Sequence, residues 1–362
     1  MKSKPAIAFY GSSLVSAYWN GAATYYRGII KYLHRLGYDV TFYEPDAFSR
    51  QEHRDIPDPD WAKVVVYSNN RSALDEVLEA GSKADILVKA SGVGVFDDIL
   101  ERAVLEMRKP YQKVIYWDVD APATLDAVIE NDDAPFRKLI SQYDYILTYG
   151  GGDPVVNAYK SLGARECISV YNAVDPETHF PVPAEERFSC DLSFLGNKLP
   201  DREERVKDFF FRVASRLPYK KFLLGGNGWG DIDFPANVSN VNHVFSKDHN
   251  AFNSSSAFVL NISRQSMADY GFSPATRVFE AAAAGACVIT DYWDGIDEFF
   301  SPGKEILVAR NSNEVEYFIS DICREEAAEI GYAALKRVLQ YHTYEKRAGL
   351  LNRIFSEQEV LY

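Results

Sequence analysis

Short apolar runs alternate with amphipathic stretches along the whole chain. The first run, 6–10 (AIAFY), is continuous rather than alternating, which predicts a strand buried on both faces. A polar loop over 11–21 follows. Apolar positions at helical spacing over 22–36 then predict a helix that Gly37 closes. The next strand is predicted over 39–43. The pattern continues with strands over 64–67, 86–89, 113–117 and 145–148 and helices over 72–80, 96–108, 134–142 and 155–162. It then restarts, with strands over 167–170, 192–195, 221–224, 257–261 and 286–290 and helices over 202–216, 274–284 and 314–324. A last helical stretch covers 326–355. Repeated strand–helix–strand units of this length give parallel sheets covered by helices on both faces.

The segment 172–183 (NAVDPETHFPVP) contains three prolines and no clear period, so it reads as a linker. A chain of 362 residues suits two domains rather than one. The expected organisation is therefore an α/β fold of two Rossmann-like, doubly wound parallel-sheet domains in tandem, over 1–172 and 173–340. A C-terminal helix within 341–362 can pack back on the first. Ligands of such domains bind at the carboxyl ends of the strands, which places the expected site in a central cleft that both domains face.

Composition narrows the function. A net charge of −13 argues against a surface that coats nucleic acid, which needs clustered positive charge, and it disfavours docking on anionic lipid. A local basic pocket for a diphosphate is still allowed. Cys167, Cys190, Cys287 and Cys323 show no CxxC spacing, which fits free thiols in a reducing compartment better than disulfides or zinc. The N-terminal apolar run is too short for a signal-peptide core, and no run approaches the roughly 18 apolar residues of a membrane span. A cytoplasmic protein without a transmembrane segment is expected.

The most informative segment runs Tyr270-Gly-Phe-Ser-Pro-Ala-Thr-Arg-Val-Phe-Glu280 and on through an alanine run to Gly285 and Asp291. Ser273 is a good N-cap residue, Pro274 suits the first helical position, and Arg277 and Glu280 lie one turn apart. Free N–H groups over 272–276, including those of Ser273, Ala275 and Thr276, would cradle an anion at that helix start. Arg277 would add charge-assisted donors and Glu280 could accept from ribose hydroxyls. By composition alone, a capped amphipathic helix with a surface Arg–Glu pair explains the same residues.

Several other segments carry candidate chemistry. The glycine-rich loop 225–230 follows a strand, so Gly226 could let backbone approach a ligand and Asn227 or Trp229 could contact a base. A plain irregular turn is an equal reading, and no helix follows to make a dinucleotide fingerprint. In the first loop, Gly11 and Ser12 sit where donor phosphates or an acceptor could approach. Asp118 and Asp120 end a buried strand as Asp-x-Asp; a carboxylate near the acceptor, a loop-capping pair and a metal site all fit. The turn 91–97 and the glycines of 149–154, with Asp153 as a helix cap, read as structural. Arg264 follows a strand and could pair with a phosphate. His243 and His249 share no spacing that favours metal ligation over an ordinary satisfied role, and no metal site is expected.

The segment 270–291 resembles the donor-binding motif of GT-B glycosyltransferases, and is most similar to the CgeB-like (spore-maturation) branch of the family-four-like superfamily. Residues 294–308 resemble the segment that follows this motif there, and Leu195-Gly196-Asn197 with Arg202 resembles the turn after the first donor-domain strand. The resemblance implies the GT-B fold and a hexosyltransferase-like enzyme that moves a sugar from a nucleoside-diphosphate sugar, UDP-sugar before others, without a metal. It implies that Glu280 holds the ribose and Asp120 or Asp118 lies near the acceptor. An earlier Glu that marks the retaining enzymes falls at position 272, which is Phe272 here. Retention is nevertheless the expected outcome. The expected partners are the donor and a glycan, small-molecule or protein acceptor; a homo-oligomer stays open. A catalytically idle nucleotide-sugar-binding protein and a nucleotide-sugar epimerase or hydrolase are the rivals.

Overall fold

The computed structural model describes residues 4–18, 20–92 and 94–356. Trp19 of the first loop, Val93 of the 91–97 turn and residues 357–362 of the terminal segment lie outside the described residues. The chain forms two compact units, one of residues up to Tyr171 together with those from Tyr344 onward, the other Asn172–Thr343.

The first unit is built on seven parallel strands: β1 (Ala6–Tyr10), β2 (Asp39–Asp46), β3 (Lys63–Ser68), β4 (Ile86–Ala90), β5 (Lys113–Asp118), β6 (Tyr145–Thr148) and β7 (Cys167–Ser169). Their spatial order is β3-β2-β1-β4-β5-β6-β7, so the winding reverses between β1 and β4. Aromatic rings fill its core. Phe9 stacks on Phe42 at 5.0 Å and meets the edge of Tyr26 at 5.3 Å. The Trp117 indole N–H donates to the Tyr25 hydroxyl, which itself donates to the Val170 carbonyl. These bonds satisfy polar ring atoms that would otherwise be buried bare.

The helix Tyr344–Phe355 packs on the helix Ala23–Arg35. Contact is closest where Gly28 faces the buried Tyr344 ring, and the Tyr38 hydroxyl donates to Asn352 at 2.9 Å. Arg347 donates to the Tyr171 carbonyl at 3.1 Å.

The second unit has six parallel strands: β8 (Cys190–Leu195), β9 (Phe222–Gly225), β10 (Val238–Asn240), β11 (Ser256–Asn261), β12 (Cys287–Asp291) and β13 (Leu307–Ala309). Their order is β10-β9-β8-β11-β12-β13, with the reversal between β8 and β11. The predicted helix over 202–216 contains a π turn at Lys207–Phe211. That wider turn lets three successive residues, Phe209, Phe210 and Phe211, all face the core.

Several local expectations are corrected. The helix expected over 134–142 is two 3-10 turns, Pro135–Lys138 and Ile140–Gln142. Its apolar residues Phe136, Leu139 and Ile140 are spaced for short tight turns as much as for a helix. The helix Ala121–Ile129 is absent from the expected elements, and Pro122 lies in its first turn, where proline is tolerated. The continuous helix over 326–355 is instead Arg324–Tyr341 and Tyr344–Phe355. The break comes where the His342 carbonyl accepts from Val174 N–H and Thr343 bridges Val174.

A Cβ added at Gly28 would lie 2.1 Å from the Tyr344 ring, which is only 1% exposed and has nowhere to go. Gly28→Ala is expected to lower unfolding stability by about 1–3 kcal/mol, read as a reduced midpoint in a urea melt at unchanged slope.

Candidate functional site

In the second unit the loops that follow β8 and β9 meet backbone to backbone. Gly226 has φ +118° and a Cβ there would lie 2.3 Å from the Gly196 carbonyl oxygen, so glycine is required on both counts. Asn227 N–H donates to the Asn197 side chain at 2.9 Å, and Lys198 N–H returns a bond to the Asn227 carbonyl. Trp229 does not reach a base, contrary to expectation. It is 1% exposed, packs on Phe194 and Phe211, and donates its indole N–H to the Gly196 carbonyl at 2.8 Å. The Asn227 side chain is exposed.

The loop after β8 borders the winding reversal between β8 and β11, where doubly wound sheets bind ligands. Two guanidiniums converge there. Arg202 and Arg277 lie 5.5 and 5.9 Å from the centre of the same Phe194 ring. Arg202 is buried, and it donates through Nη2 to the Asn197 carbonyl. Its Nε has no partner among the described residues. Burial, and then the charge of Arg277, pushes the Arg202 guanidinium down to about 9. Arg277 is half-buried, lowered by burial, and holds Asn261 at 3.3 Å. Arg264 is paired with Asp201 at 2.6 Å. Arg205, which the sequence reasoning missed, pairs with Asp291 at 2.5 Å. Asp291 is fully buried and also accepts from the backbone and hydroxyl of Ser263.

The helix expected to open at Ser273 begins later, as Thr276–Ala283, with Ala275 at its N-cap and no side-chain cap. Gly271 and Phe272 take positive φ and the chain runs extended through Ala275, so Ser273 and Pro274 are buried ahead of the helix. Asn172 braces the approach to the helix without capping it: its amide N–H donates to the Pro274 carbonyl at 3.2 Å and its amide oxygen accepts from Thr276 Oγ1 at 2.9 Å. The Phe272 N–H is already donated to the Asp294 carbonyl, which removes it from the N–H groups expected to cradle an anion. Glu280, one turn after Arg277, is half-buried, and its Oε1 lies 3.7 Å from His179 Nε2.

The first unit places its candidates differently. Asp118 ends β5 fully buried, and its carboxylate accepts from Ser91, Thr124, Tyr159 and the Asp120 N–H. It is a strut of the β5 turn. Asp120 is half-buried at the start of the helix Ala121–Ile129. Gly11 packs against Phe42, where a Cβ would lie 2.6 Å from the ring. The Ser12 hydroxyl donates to Asn20 at 3.0 Å, and the Ser12 carbonyl accepts from Arg50. Arg50 is fully buried with Nε and Nη2 unpartnered among the described residues, a feature no motif announced. Gly151 rather than Asp153 caps the helix Gly152–Ser161. A cavity of about 320 Å³ is lined by Lys89, Asp97, Glu101, Thr124 and Phe136 among others. Lys89 pairs with Asp97 at 2.7 Å, and burial pushes the Glu101 carboxyl up to about 7.

Similarity to solved structures extends over nearly the whole chain. HepE of Anabaena in complex with UDP and glucose aligns with TM-score 0.70 and 14% identity, covering 98% of this chain and 100% of that one. An alpha-glucosyltransferase in complex with UDP-glucose and DNA containing an abasic site aligns with TM-score 0.70 and 13% identity, over 97% and 99%. Sucrose-phosphate synthase of Thermosynechococcus elongatus aligns with TM-score 0.65 and 13% identity, over 98% of each. The fold is GT-B. Within this GT-B chain, residues 202–353 match the family described as glycosyl transferase-like, a span that holds Arg202, Gly226, Asn227, Arg264 and the whole 273–280 segment. Gly11, Ser12, Asp118 and Asp120 lie outside it. No curated protein matches the chain by sequence. Among the described residues no helix is long and apolar enough to cross a membrane.

In the first unit of this GT-B chain, Glu101 has a testable electrostatic consequence. Its folded pKa of about 7 lies above its ordinary 4.5, so the folded state binds more protons and stability falls as pH rises through that window. Glu101→Gln is expected to raise unfolding stability at pH 8 by about 1–3 kcal/mol and to give no comparable gain at pH 4, measured by urea melts at both values.

Proposed function

We propose that the protein is a glycosyltransferase that takes a hexosyl group from a UDP-sugar and transfers it to a hydroxyl acceptor. The observation that carries this is the pair of guanidiniums, the buried Arg202 and the half-buried Arg277, that share the face of Phe194 beside the winding reversal of the second sheet. Charge accumulates on the diphosphate as the bond from anomeric carbon to phosphate oxygen breaks. Donors already fixed in place stabilise that charge without reorganising. The amides of Thr276 and Arg277 and the start of their helix add partial positive charge on the same side.

Ser273, Pro274 and Ala275 set the approach to that helix, Arg264 and Asn227 flank it, and Glu280 would accept from the ribose hydroxyls. UDP is the nucleotide favoured, because HepE and the alpha-glucosyltransferase were solved with UDP or UDP-glucose. With two guanidiniums available, the diphosphate needs no metal, which supports a metal-independent reaction. Retention of configuration is supported by the motif resemblance alone. So is the CgeB-like branch, through 270–291 and 294–308. On the acceptor side the half-buried Asp120 is better placed than the enclosed Asp118 to meet a substrate hydroxyl. The acceptor is a glycan, a small molecule or a protein. DNA is bound by one structural relative, but the net charge of −13 disfavours it here.

Phe272 favours one second reading, a protein that binds the nucleotide sugar without turning it over, since an apolar ring stands where the resembling enzymes carry a carboxylate. Release of UDP from UDP-sugar in the presence of acceptor candidates separates the two.

Calorimetric titration with UDP tests the donor site. Arg277→Ala is expected to weaken UDP by about 10- to 100-fold, the value of a charge-assisted contact, while Glu280→Ala is expected to weaken UDP by about tenfold. Unchanged affinity in both variants would remove the assignment.

A further inference from the structure

His179, His249 and Glu280 come from three separate segments. His179 lies in the proline-containing stretch after residue 172, His249 opens the helix His249–Ser255, and Glu280 lies in the helix Thr276–Ala283. One ligand-capable atom of each lies within 4.8 Å of the others, and all three residues are half-buried.

An oxygen stands behind each ring. Val244 offers a carbonyl to His249 Nε2 at 3.2 Å, and a carbonyl only accepts, so Nε2 carries a proton. The Thr178 hydroxyl lies 3.0 Å from the Asp175 carbonyl and 2.9 Å from His179 Nδ1, and its one proton can serve only one of them. Where it serves the carbonyl, His179 Nδ1 donates to Thr178 and Nε2 faces the Glu280 carboxylate at 3.7 Å as a ligand atom. Each imidazole is thus oriented from behind by an oxygen, as metal-ligating histidines are.

We propose that His179, His249 and Glu280 form a binding site for a divalent transition-metal ion of the zinc class, and that this site shares Glu280 with the nucleotide. Two imidazoles and one carboxylate are zinc ligands, and an open fourth position takes water. Magnesium and calcium prefer all-oxygen sets and are excluded by the two nitrogens. Tetrahedral bonds of about 2.1 Å put ligand atoms roughly 3.4 Å apart, so closing the site needs side-chain shifts of about an ångström.

A carboxylate bound to the metal is not available to a ribose. Zinc and UDP should therefore compete, a consequence that, unlike the metal binding itself, rests on Glu280 holding the nucleotide.

The test is calorimetric titration of Zn2+ into the full chain carrying Cys323→Ser, which removes the exposed thiol. Co2+ absorption provides a spectroscopic check, and circular dichroism confirms that each variant folds. One equivalent should bind to this protein and to the same protein with His53→Ala. Affinity should fall by about a hundredfold or more in His179→Ala and in His249→Ala. Absence of binding, or equal affinity in both variants, overturns the site. Saturating Zn2+ should weaken UDP by about tenfold. Equal UDP affinity with and without Zn2+ overturns the shared carboxylate. A protein that binds Zn2+ but never UDP supports the metal site and overturns the nucleotide reading.

Discussion

Positive charge held out of water at the winding reversal of the second sheet is the constraint on which that unit depends. A guanidinium loses much of its hydration on burial and regains stability only through acceptors, aromatic faces or an anion. Arg205 meets the buried Asp291 and Arg264 meets Asp201. Arg202 and Arg277 find only neutral partners among their hydrogen bonds, the Asn197 carbonyl and the Asn261 amide oxygen, and they share the face of Phe194. Their proximity disfavours the charge on Arg202 further. An arrangement that raises its own energy in this way is stable only if the rest of the unit over-determines it. It becomes favourable when an anion arrives.

The surrounding backbone supplies that over-determination. Gly196 and Gly226 bring two loops into direct contact, and the Trp229 indole locks the junction by donating to Gly196. The π turn at Lys207–Phe211 turns three phenylalanines inward beneath the segment that carries Arg202 and Arg205. Asn172 clamps the start of the helix that carries Arg277 and Glu280. The charged residues of the site are therefore on short, well-braced connections, although each is formally a loop or first-turn residue. That is where doubly wound folds generally place binding groups.

Strand positions were legible because each buried strand is a short apolar run that needs only its neighbours to be recognised. The run 6–10 became β1 (Ala6–Tyr10) and 145–148 became β6 (Tyr145–Thr148) without change. The three-residue edge strands β10 and β13 left no such trace, whereas the equally short β7 did as part of the run 167–170. Site residues were legible where sequence and space coincide, as for Arg277 and Glu280 on one helix. They were not legible where partners are distant. Asn172 accepts from the Thr276 hydroxyl about a hundred positions downstream, and Arg205 meets Asp291 across a similar gap. Ser273 looked like a cap because local rules see only the serine and proline, not the extended backbone that delays the helix start to Thr276. Trp229 looked like a base platform because a glycine-rich loop hides how tightly its backbone is packed.

Phe272 is held by contacts separate from those that hold the guanidiniums. Its φ of +46° is unusual for a bulky residue and is held by Gly271, by the bond from its N–H to Asp294, and by Gly295 under its ring. A Cβ at Gly295 would lie 2.1 Å from that ring, so the ring is committed to the 294–295 turn. The left-handed backbone directs whatever side chain occupies position 272, and here that side chain packs against protein. Position 272 thus offers an apolar ring already engaged with protein. The guanidiniums, the helix start and Glu280 are held by other contacts and do not depend on it.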